Sequence, residues 1–165
     1  IVGEGPGQKE DEIGKPFVGE AGILLNKMLK AINIEREKIY ITNVVNDRPP
    51  NNRKPEPAEI TKYSIFLREH ISIIDPKILI LMGSTAMEAL IGSNKKISRE
   101  RGEWKEVIIK QKTYKTIITF HPAYLLRNPS MGEESAVSLT LRDLSEVRNK
   151  LNTYDSCNRY DNLKD

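Results

Sequence analysis

The segment from Lys77 to Met82 constrains the fold of this chain most strongly. Five consecutive apolar residues follow Lys77, and Gly83 ends the run. A run this short, without polar alternation, is typical of a strand buried on both faces in a parallel sheet. Parallel strands need crossover connections of about a dozen residues or more, which helices usually supply. We therefore expect strands that alternate with helices.

The other apolar segments fit this alternation. Further strands are predicted at Ile1–Val2, Lys38–Val45, and a hairpin of Val107–Ile109 with Thr116–Thr119. Helices are predicted at Ala21–Ala31, from Pro57 to Ile74, from an N-cap at Ser84 to about Gly92, and at Ser135–Leu151. This order predicts a three-layer α/β/α domain with a mostly parallel central sheet over residues 1–151, followed by a polar, disordered tail at 152–165.

Length and composition narrow the class of protein. The 165 residues suit one domain, and 26 basic against 23 acidic residues give a net charge of +3, which weakly favours an anionic partner. No apolar run approaches the ~20 residues of a membrane span, so we expect no membrane partner. The single cysteine, Cys157, excludes an internal disulfide framework and is consistent with a reducing compartment. We expect a cytoplasmic protein and a monomer. Because the chain opens on Ile1 with a very short strand, we expect that an N-terminal segment is missing.

Two glycine-rich segments near the start of the chain indicate a site. The first, Gly3–Gly7, follows a strand and can continue neither a strand nor a helix. A turn that only reverses the chain direction does not require a carboxylate. Glu4 is therefore either a functional acid or a cap of this turn. The second, Gly14–Gly19, holds Phe17 between glycines. Phe17 is either ordinary core or an aromatic residue kept for a ligand.

The first glycine turn does not match the common phosphate-binding motifs. The Walker motif needs Lys followed by Ser or Thr at the start of the helix, and the segment from Gly7 to Glu10 lacks this pair. The glycine spacing also differs from that of dinucleotide-binding turns. Negative charge at Glu4 and Glu10 argues against a bare anion pocket. An unrelated phosphate-binding α/β enzyme is therefore an alternative with little in its favour.

Polar residues near the ends of other strands extend the candidate site. Asn43 lies in an apolar strand, where an amide must be hydrogen-bonded, so it either bridges to a neighbouring loop or binds the polar edge of a ligand. His121 precedes Pro122, a favoured first residue of a helix, and a helix N-terminus disfavours the imidazolium ion. His121 is therefore either a structural cap or a neutral hydrogen-bond donor to a developing oxyanion. In a parallel sheet, these loops converge at the carboxyl edge.

Taken together, these segments resemble the family 4 uracil-DNA glycosylases over residues 1 to about 129. The matching motifs are Gly3–Asp11, Gly14–Gly22, Tyr40–Val45 with Arg48-Pro49-Pro50 and Asn52-Arg53, Arg101–Trp104, and His121–Pro129. The resemblance implies a uracil-DNA glycosylase-like fold. It also implies a monofunctional repair enzyme that flips uracil out of DNA and hydrolyses its N-glycosidic bond, leaving an abasic site.

The resemblance further implies roles for individual residues. His121 would donate a hydrogen bond to the uracil oxygen, and Glu4 or Glu10 would hold the water, which makes these three the catalytic residues. Phe17 would stack on the base and Asn43 would bind its edge, in a uracil pocket that includes Gly5. The implied DNA contacts are Arg48, Arg53, Ser84, Leu125, Arg127 and Asn128, with the segment from Leu125 filling the vacated stack.

The chain departs from the family pattern in two places. Family members carry a four-cysteine iron–sulfur cluster, but Asp47 and Tyr63 stand at two of the ligand positions here and the other two would precede Ile1. We therefore expect no cluster, no other cofactor and no metal. An acidic segment, Ser130–Glu134, replaces a Lys-rich one and is expected to weaken contact with DNA. The alternative function is a catalytically degenerate DNA- or nucleotide-binding module of the same family.

Overall fold

The computed structural model describes residues 1–5, 12–15, 17–45 and 55–162, with side chains up to Tyr154 in the last helix. Within these ranges the strands are β1 (Val2–Gly3), β2 (Thr42–Asn43), β3 (Ile78–Met82), β4 (Trp104–Ile109) and β5 (Lys112–Thr119). The α-helices are α1 (Glu20–Ala31), α2 (Pro57–Ile74), α3 (Ser84–Leu90), α4 (Ile97–Glu100), α5 (Pro122–Arg127) and α6 (Ala136–Asn162). A 3₁₀ turn covers Arg36–Lys38.

The strands form one sheet in the order β2-β1-β3-β5-β4. All neighbouring pairs are parallel except β4 and β5, which form the predicted antiparallel hairpin. Val2 pairs with Thr42 on one side and with Leu81 on the other. The short first strand therefore lies between β2 and β3, and β3 occupies the centre of the sheet, as its continuous apolar sequence predicts.

Side chains of the central strands alternate between two core layers. Leu79 and Leu81 of β3 belong to one layer, and Ile80 and Met82 belong to the other. Helices α2 and α3 pack into the first layer through Ile60, Leu67, Ile71, Met87 and Leu90. Helices α1, α5 and α6 pack into the second layer through Leu25, Met28, Leu29, Leu125, Leu144 and Val147. Helices thus cover both faces of the sheet, which confirms the predicted three-layer fold.

Several element boundaries differ from those predicted. Strand β2 is limited to Thr42–Asn43, and a 3₁₀ turn at Arg36–Lys38 includes the residue at which the predicted strand begins. The N-cap of α3 is Gly83, with φ of 95°, and Ser84 is the first helical residue instead of the cap. Helix α6 runs to Asn162, through residues predicted to form a disordered tail. Neither proline nor glycine interrupts this extension.

Among the described residues, no helix combines the length and the apolar character that crossing a membrane requires.

Asp75 closes helix α2 and joins it to strand β5. Its φ of 51° places it in the left-handed conformation that ends many helices. Its carboxylate accepts hydrogen bonds from the Lys112 ammonium and, at 2.9 Å, from the Tyr114 hydroxyl. The bond from Lys112, followed by that from Tyr114, lowers the pKa of Asp75 from its usual 3.8.

Asp75→Asn should lower stability at neutral pH and flatten its dependence on acid. A carboxyl group whose folded pKa is lowered stabilises the fold above its unfolded pKa and loses that contribution as pH falls through the folded value. Asn tolerates the left-handed conformation, so the substitution removes the charge without straining the helix end. Urea unfolding between pH 2 and 7 measures the effect. Lys112→Met, which removes the partner instead, should also reduce the fall in the free energy of unfolding at acidic pH. If either variant differs from the parent by the same free energy at every pH, this account is wrong.

Candidate active site

Several of the described residues that the sequence singles out lie at the carboxyl edge of the sheet. Gly3, the last residue of β1, pairs with Asn43, the last residue of β2. Strand β3 leads into Gly83 and β5 leads towards His121, and the Gly83 N–H donates to the Thr119 carbonyl at 2.9 Å. Because the parallel strands end side by side, residues from distant parts of the sequence meet there.

Gly3 makes the closest approach in this site possible. A Cβ atom at Gly3 would lie 2.6 Å from Oδ1 of Asn43 and 2.6 Å from Cζ of Phe17. These distances are shorter than any tolerable van der Waals contact, so a larger residue would displace one of the two side chains. The structure therefore brings Phe17 and Asn43 together against the same main-chain position, as their predicted common role requires.

Asn43 presents a buried acceptor that nothing in the described residues satisfies. Its Oδ1 is inaccessible to solvent and has no hydrogen-bond partner there. Leaving a buried acceptor unpaired costs roughly 1–3 kcal/mol, so such atoms are rare in folded proteins. Of the two alternatives for Asn43, a bridge to a neighbouring loop through Oδ1 is not seen within the described residues. The geometry favours the other, in which a ligand N–H completes the bond.

Phe17 is held in a strained conformation. Its φ of 52° is unusual for a bulky residue, and its side chain is only 5% exposed. The Phe17 carbonyl accepts a hydrogen bond of 2.6 Å from Nη1 of Arg36. Helix α1 comes so close that a Cβ at Gly22 would lie 1.9 Å from this carbonyl oxygen. Backbone strain that surrounding contacts enforce is typical of functional sites.

His121 has the structural role of an N-cap, and its capping bond leaves the second ring nitrogen as the donor atom of the neutral ring. As N-cap of α5, it accepts a hydrogen bond at Nδ1 from the Ala123 N–H at 3.0 Å. In a neutral imidazole the proton then resides on Nε2, which makes that atom the donor. The ring stacks against Phe17 at a centroid distance of 5.4 Å and an interplanar angle of 27°. Behind it, a Cβ at Gly83 would lie 3.0 Å from the His121 Cβ.

A buried ion pair fixes the end of β5, two residues before His121. Asp143 of α6 is 2% exposed and accepts two hydrogen bonds from Arg101, at 3.2 and 2.5 Å. The Thr119 hydroxyl donates to the same carboxylate at 2.9 Å. This bidentate contact raises the pKa of Arg101. The pair joins α6 and the segment before β4 to the strand that carries the histidine loop.

The Arg101–Trp104 motif and Asp143 have a structural role that the sequence did not reveal. Gly102 lies so close to Asp143 that a Cβ would be 2.9 Å from its Oδ1, and the Trp104 indole N–H donates to Glu146 at 3.0 Å. The motif therefore docks the sheet onto α6. An acid directly before Leu144, on the buried side of a predicted helix, is the signal that could have revealed Asp143.

The structure corrects one predicted DNA contact. Leu125 is 2% exposed and packs in the core, because it is on the face of α5 that is turned to α1. Its neighbour Leu126 is 43% exposed and is the better candidate to fill a vacated base stack. Arg127 is exposed, as a phosphate contact must be. Asn128 caps the end of α5, and its Nδ2 donates to the Tyr124 carbonyl at 3.0 Å.

The structure describes some of the remaining predicted residues. Glu4 is half-buried directly after β1, and its carbonyl accepts a hydrogen bond of 2.9 Å from the Val45 N–H. Gly5 follows it, and a Cβ there would lie 3.4 Å from the Val45 carbonyl oxygen. Ser84 is half-buried at the start of α3. The predictions for Glu10, Asp47, Arg48 and Arg53 fall outside the described residues.

The residues present do not fit an iron–sulfur cluster. Such a cluster needs four thiolate ligands, and the chain contains one cysteine, Cys157. Tyr63, at one implied ligand position, packs half-buried against the core. In the described part of the chain, no group of three His, Cys, Asp or Glu residues is placed to hold a metal ion.

Comparison with known proteins agrees with the motif resemblance. The family model described as the uracil DNA glycosylase superfamily matches residues 1–145. The chain is 46% identical over 131 residues to a type-4 uracil-DNA glycosylase of Thermotoga maritima, covering 79% of this chain and 67% of that protein. It is 45% identical over 139 residues to one of Sulfurisphaera tokodaii, covering 79% and 62% of the respective chains. For one of Archaeoglobus fulgidus, the values are 42% over 138 residues, with 81% and 69% covered.

These similarities confirm the resemblance inferred from the motifs and the predicted fold. The chain spans about two thirds of the length of the curated relatives it matches.

Arg101→Ala should lower the free energy of unfolding by about 3 kcal/mol, because it leaves the buried Asp143 carboxylate without its counter-ion. Urea denaturation measures this. Lys110→Ala, which breaks an exposed pair with Glu69, is the matched control and should cost less than about 1 kcal/mol. Arg101→Met combined with Asp143→Leu should recover part of the loss. Equal losses for Arg101→Ala and Lys110→Ala would show that the buried pair has no special weight.

Proposed function

This chain belongs to the uracil DNA glycosylase superfamily, and we propose that it excises uracil from DNA by hydrolysing the N-glycosidic bond. The observation that carries the proposal is the buried Oδ1 of Asn43, which has no hydrogen-bond partner in the described residues and lies beside the Phe17 ring. A base flipped out of the DNA stack supplies both missing elements, a flat ring and an edge with an N–H group.

The Asn43 amide matches the edge of uracil. Uracil carries an N–H donor at N3 next to a carbonyl acceptor at O4, whereas an amide carries an acceptor next to a donor. Cytosine has an acceptor at N3 and an amine at C4, the reverse order. Uracil can donate its N3–H to the buried Oδ1 of Asn43. Cytosine would instead place the lone pair of N3 against this oxygen. Uracil binding therefore removes the penalty of the unpaired oxygen, and cytosine binding does not.

His121 acts on the leaving group. When the bond between C1′ of the sugar and N1 of uracil breaks, its electron pair passes to the base and charge develops on the uracil oxygens. The Nε2–H donor of His121 stabilises the charge on O2. Two contacts preorganise this donor: the Ala123 N–H fixes the tautomer through Nδ1, and the Phe17 ring fixes the imidazole plane. The donor needs no reorientation as the charge appears.

A carboxylate acts on the sugar. The oxocarbenium-like sugar is stabilised by a negative charge, and water held by the same carboxylate attacks C1′. Glu4 and Glu10 are the candidates, and Glu4 directly follows β1 at the edge where Asn43 lies. Because the nucleophile is water and no amine attacks C1′, the enzyme is monofunctional and leaves an abasic site without cutting the strand.

The DNA partner is held around this pocket. Leu126 fills the space that uracil vacates, and phosphate contacts come from Arg48, Arg53, Ser84 and Arg127 with Asn128 beside them. Phosphate contacts position the strand, and the pocket selects the base. Since one chain provides the pocket, we propose a monomer as the active unit. A single cysteine suits the reducing cytoplasm.

His121→Ala should slow uracil excision about 100-fold or more, because it removes the donor to the developing oxyanion. The assay follows a labelled uracil-containing oligonucleotide, and strand breaks should appear only after alkali treatment. Asn43→Ala should also slow excision, and a comparison of Glu4→Gln with Glu10→Gln assigns the water-binding acid. His70→Ala, which changes the other histidine, on α2, is the control and should keep the parent rate.

Two results would contradict this function. A folded parent chain that binds uracil-containing DNA without releasing uracil would support the degenerate binding module instead. An equal loss of rate in His121→Ala and His70→Ala would remove the assigned role of His121.

We propose that the chain carries no iron–sulfur cluster, because one cysteine cannot supply four thiolates and Tyr63 packs in the core. The purified chain should contain no iron above background and show no broad visible absorbance, with or without Cys157→Ser. Binding of about four iron atoms per chain would refute the proposal.

A further inference from the structure

A groove of about 490 Å³ lies between α5 and the start of α6. One wall is an aromatic pair, in which the rings of Phe120 and Tyr124 stack at a centroid distance of 5.0 Å and an interplanar angle of 21°. Tyr124, the more open of the two, is 38% exposed. The volume is in the range of small-molecule sites, so the groove can admit a flat ring of the size of a nucleobase. We call it the aromatic groove.

The polar lining of the aromatic groove shows what kind of ring fits. Asn128, Ser130 and Glu134 contribute polar side chains, and no Lys, Arg or His is among the described lining residues. Glu134 is the charged residue among the described lining residues; its side chain is 83% exposed, and Arg142, outside the lining, lies 4.0 Å from its carboxylate. Carboxylates accept hydrogen bonds from amino groups, as they do from the exocyclic amine of cytosine. The lining therefore favours the base of a nucleotide over its phosphate.

The position of the aromatic groove links it to the uracil site. Phe120 and His121 are consecutive residues, and they contact different partners: Phe120 stacks on Tyr124, and His121 stacks on Phe17. The same short segment therefore contributes one ring to each site. Helix α5, which carries the exposed Leu126, separates the His121 cap from the end of the groove at Asn128.

We propose that the aromatic groove binds a nucleobase adjacent to the flipped uracil. The inference rests on the proposed function, because flipping deprives the neighbouring base of a stacking partner. Tyr124 replaces that partner, and Glu134 accepts a hydrogen bond from an amino group on the base. The acidic segment Ser130–Glu134 therefore weakens contact with phosphate groups, as the sequence predicts, while one of its carboxylates contacts a base. Aromatic side chains support single-stranded bases in this way without strong sequence selectivity.

The test compares Tyr124→Ala with the parent chain in binding short single-stranded oligonucleotides that carry a hydrolysis-resistant 2′-fluoro deoxyuridine. Matched oligonucleotides lack the base on the 5′ or on the 3′ side of this nucleotide. Tyr124→Ala should weaken binding about tenfold to 100-fold when both neighbours carry bases. On one of the two abasic oligonucleotides it should have no effect, and that oligonucleotide shows whether Tyr124 contacts the 5′ or the 3′ neighbour. Tyr124→Phe should bind as the parent does. Met131→Ala, at a fully exposed position, is the control and should change nothing.

Glu134→Gln provides a second variant that leaves the aromatic pair intact. The parent should prefer cytosine to thymine at the neighbouring position, and Glu134→Gln should lose that preference. Loss of affinity in Tyr124→Ala that is equal on every oligonucleotide, or no loss at all, would overturn the inference. If the parent excises uracil while Tyr124→Ala shows no neighbour dependence, the inference alone fails. If the parent does not excise uracil, the proposed function fails.

Discussion

The close approach of chain segments at Gly3 is the constraint on which the site depends. Pairing of β1 with β2 sets Gly3 opposite Asn43, and the missing Cβ makes room for both the amide oxygen and the Phe17 ring. Phe17 reaches this position only because its backbone adopts a positive φ, which Arg36 and the glycine at position 22 stabilise. The unpaired amide oxygen and the strained aromatic residue are thus two results of one packing arrangement.

Much of this arrangement was accessible from sequence because it follows from strong local signals. A continuous apolar run such as Ile78–Met82 specifies a central parallel strand, and the parallel order then places every following loop at one edge. Glycine, asparagine and histidine in those loops are conspicuous, since loops that only connect elements do not need them together. The convergence of the loops after β1 and β5 could therefore be predicted from strand order, and the family resemblance placed Phe17 and Asn43 in one pocket with His121.

Other features could not be predicted because they depend on tertiary packing. Nothing local distinguishes Leu125 from Leu126; the way α5 packs on α1 buries the first and exposes the second. The position of Asp143 beside Leu144 indicates burial, but nothing in the sequence identifies Arg101 as its partner. Asn152–Asn162 continue α6 although their polar composition suggests a disordered tail. For Leu125 and Asp143 the deciding partner is distant in sequence, whereas the helical extension goes with the absence of proline and glycine from residues 152–162.

The capping bond of His121 has a consequence for cooperativity. Nδ1 can accept from the Ala123 N–H only while it carries no proton, so protonation of the imidazole removes the N-cap of α5. The same event gives the ring a positive charge at a helix N-terminus, where the helix dipole opposes it. Protonation of His121 and the stability of helix α5, which holds Leu126 and Tyr124, are therefore thermodynamically linked. One proton on the imidazole thus changes both the charge in the site and the conformation of the neighbouring helical surface.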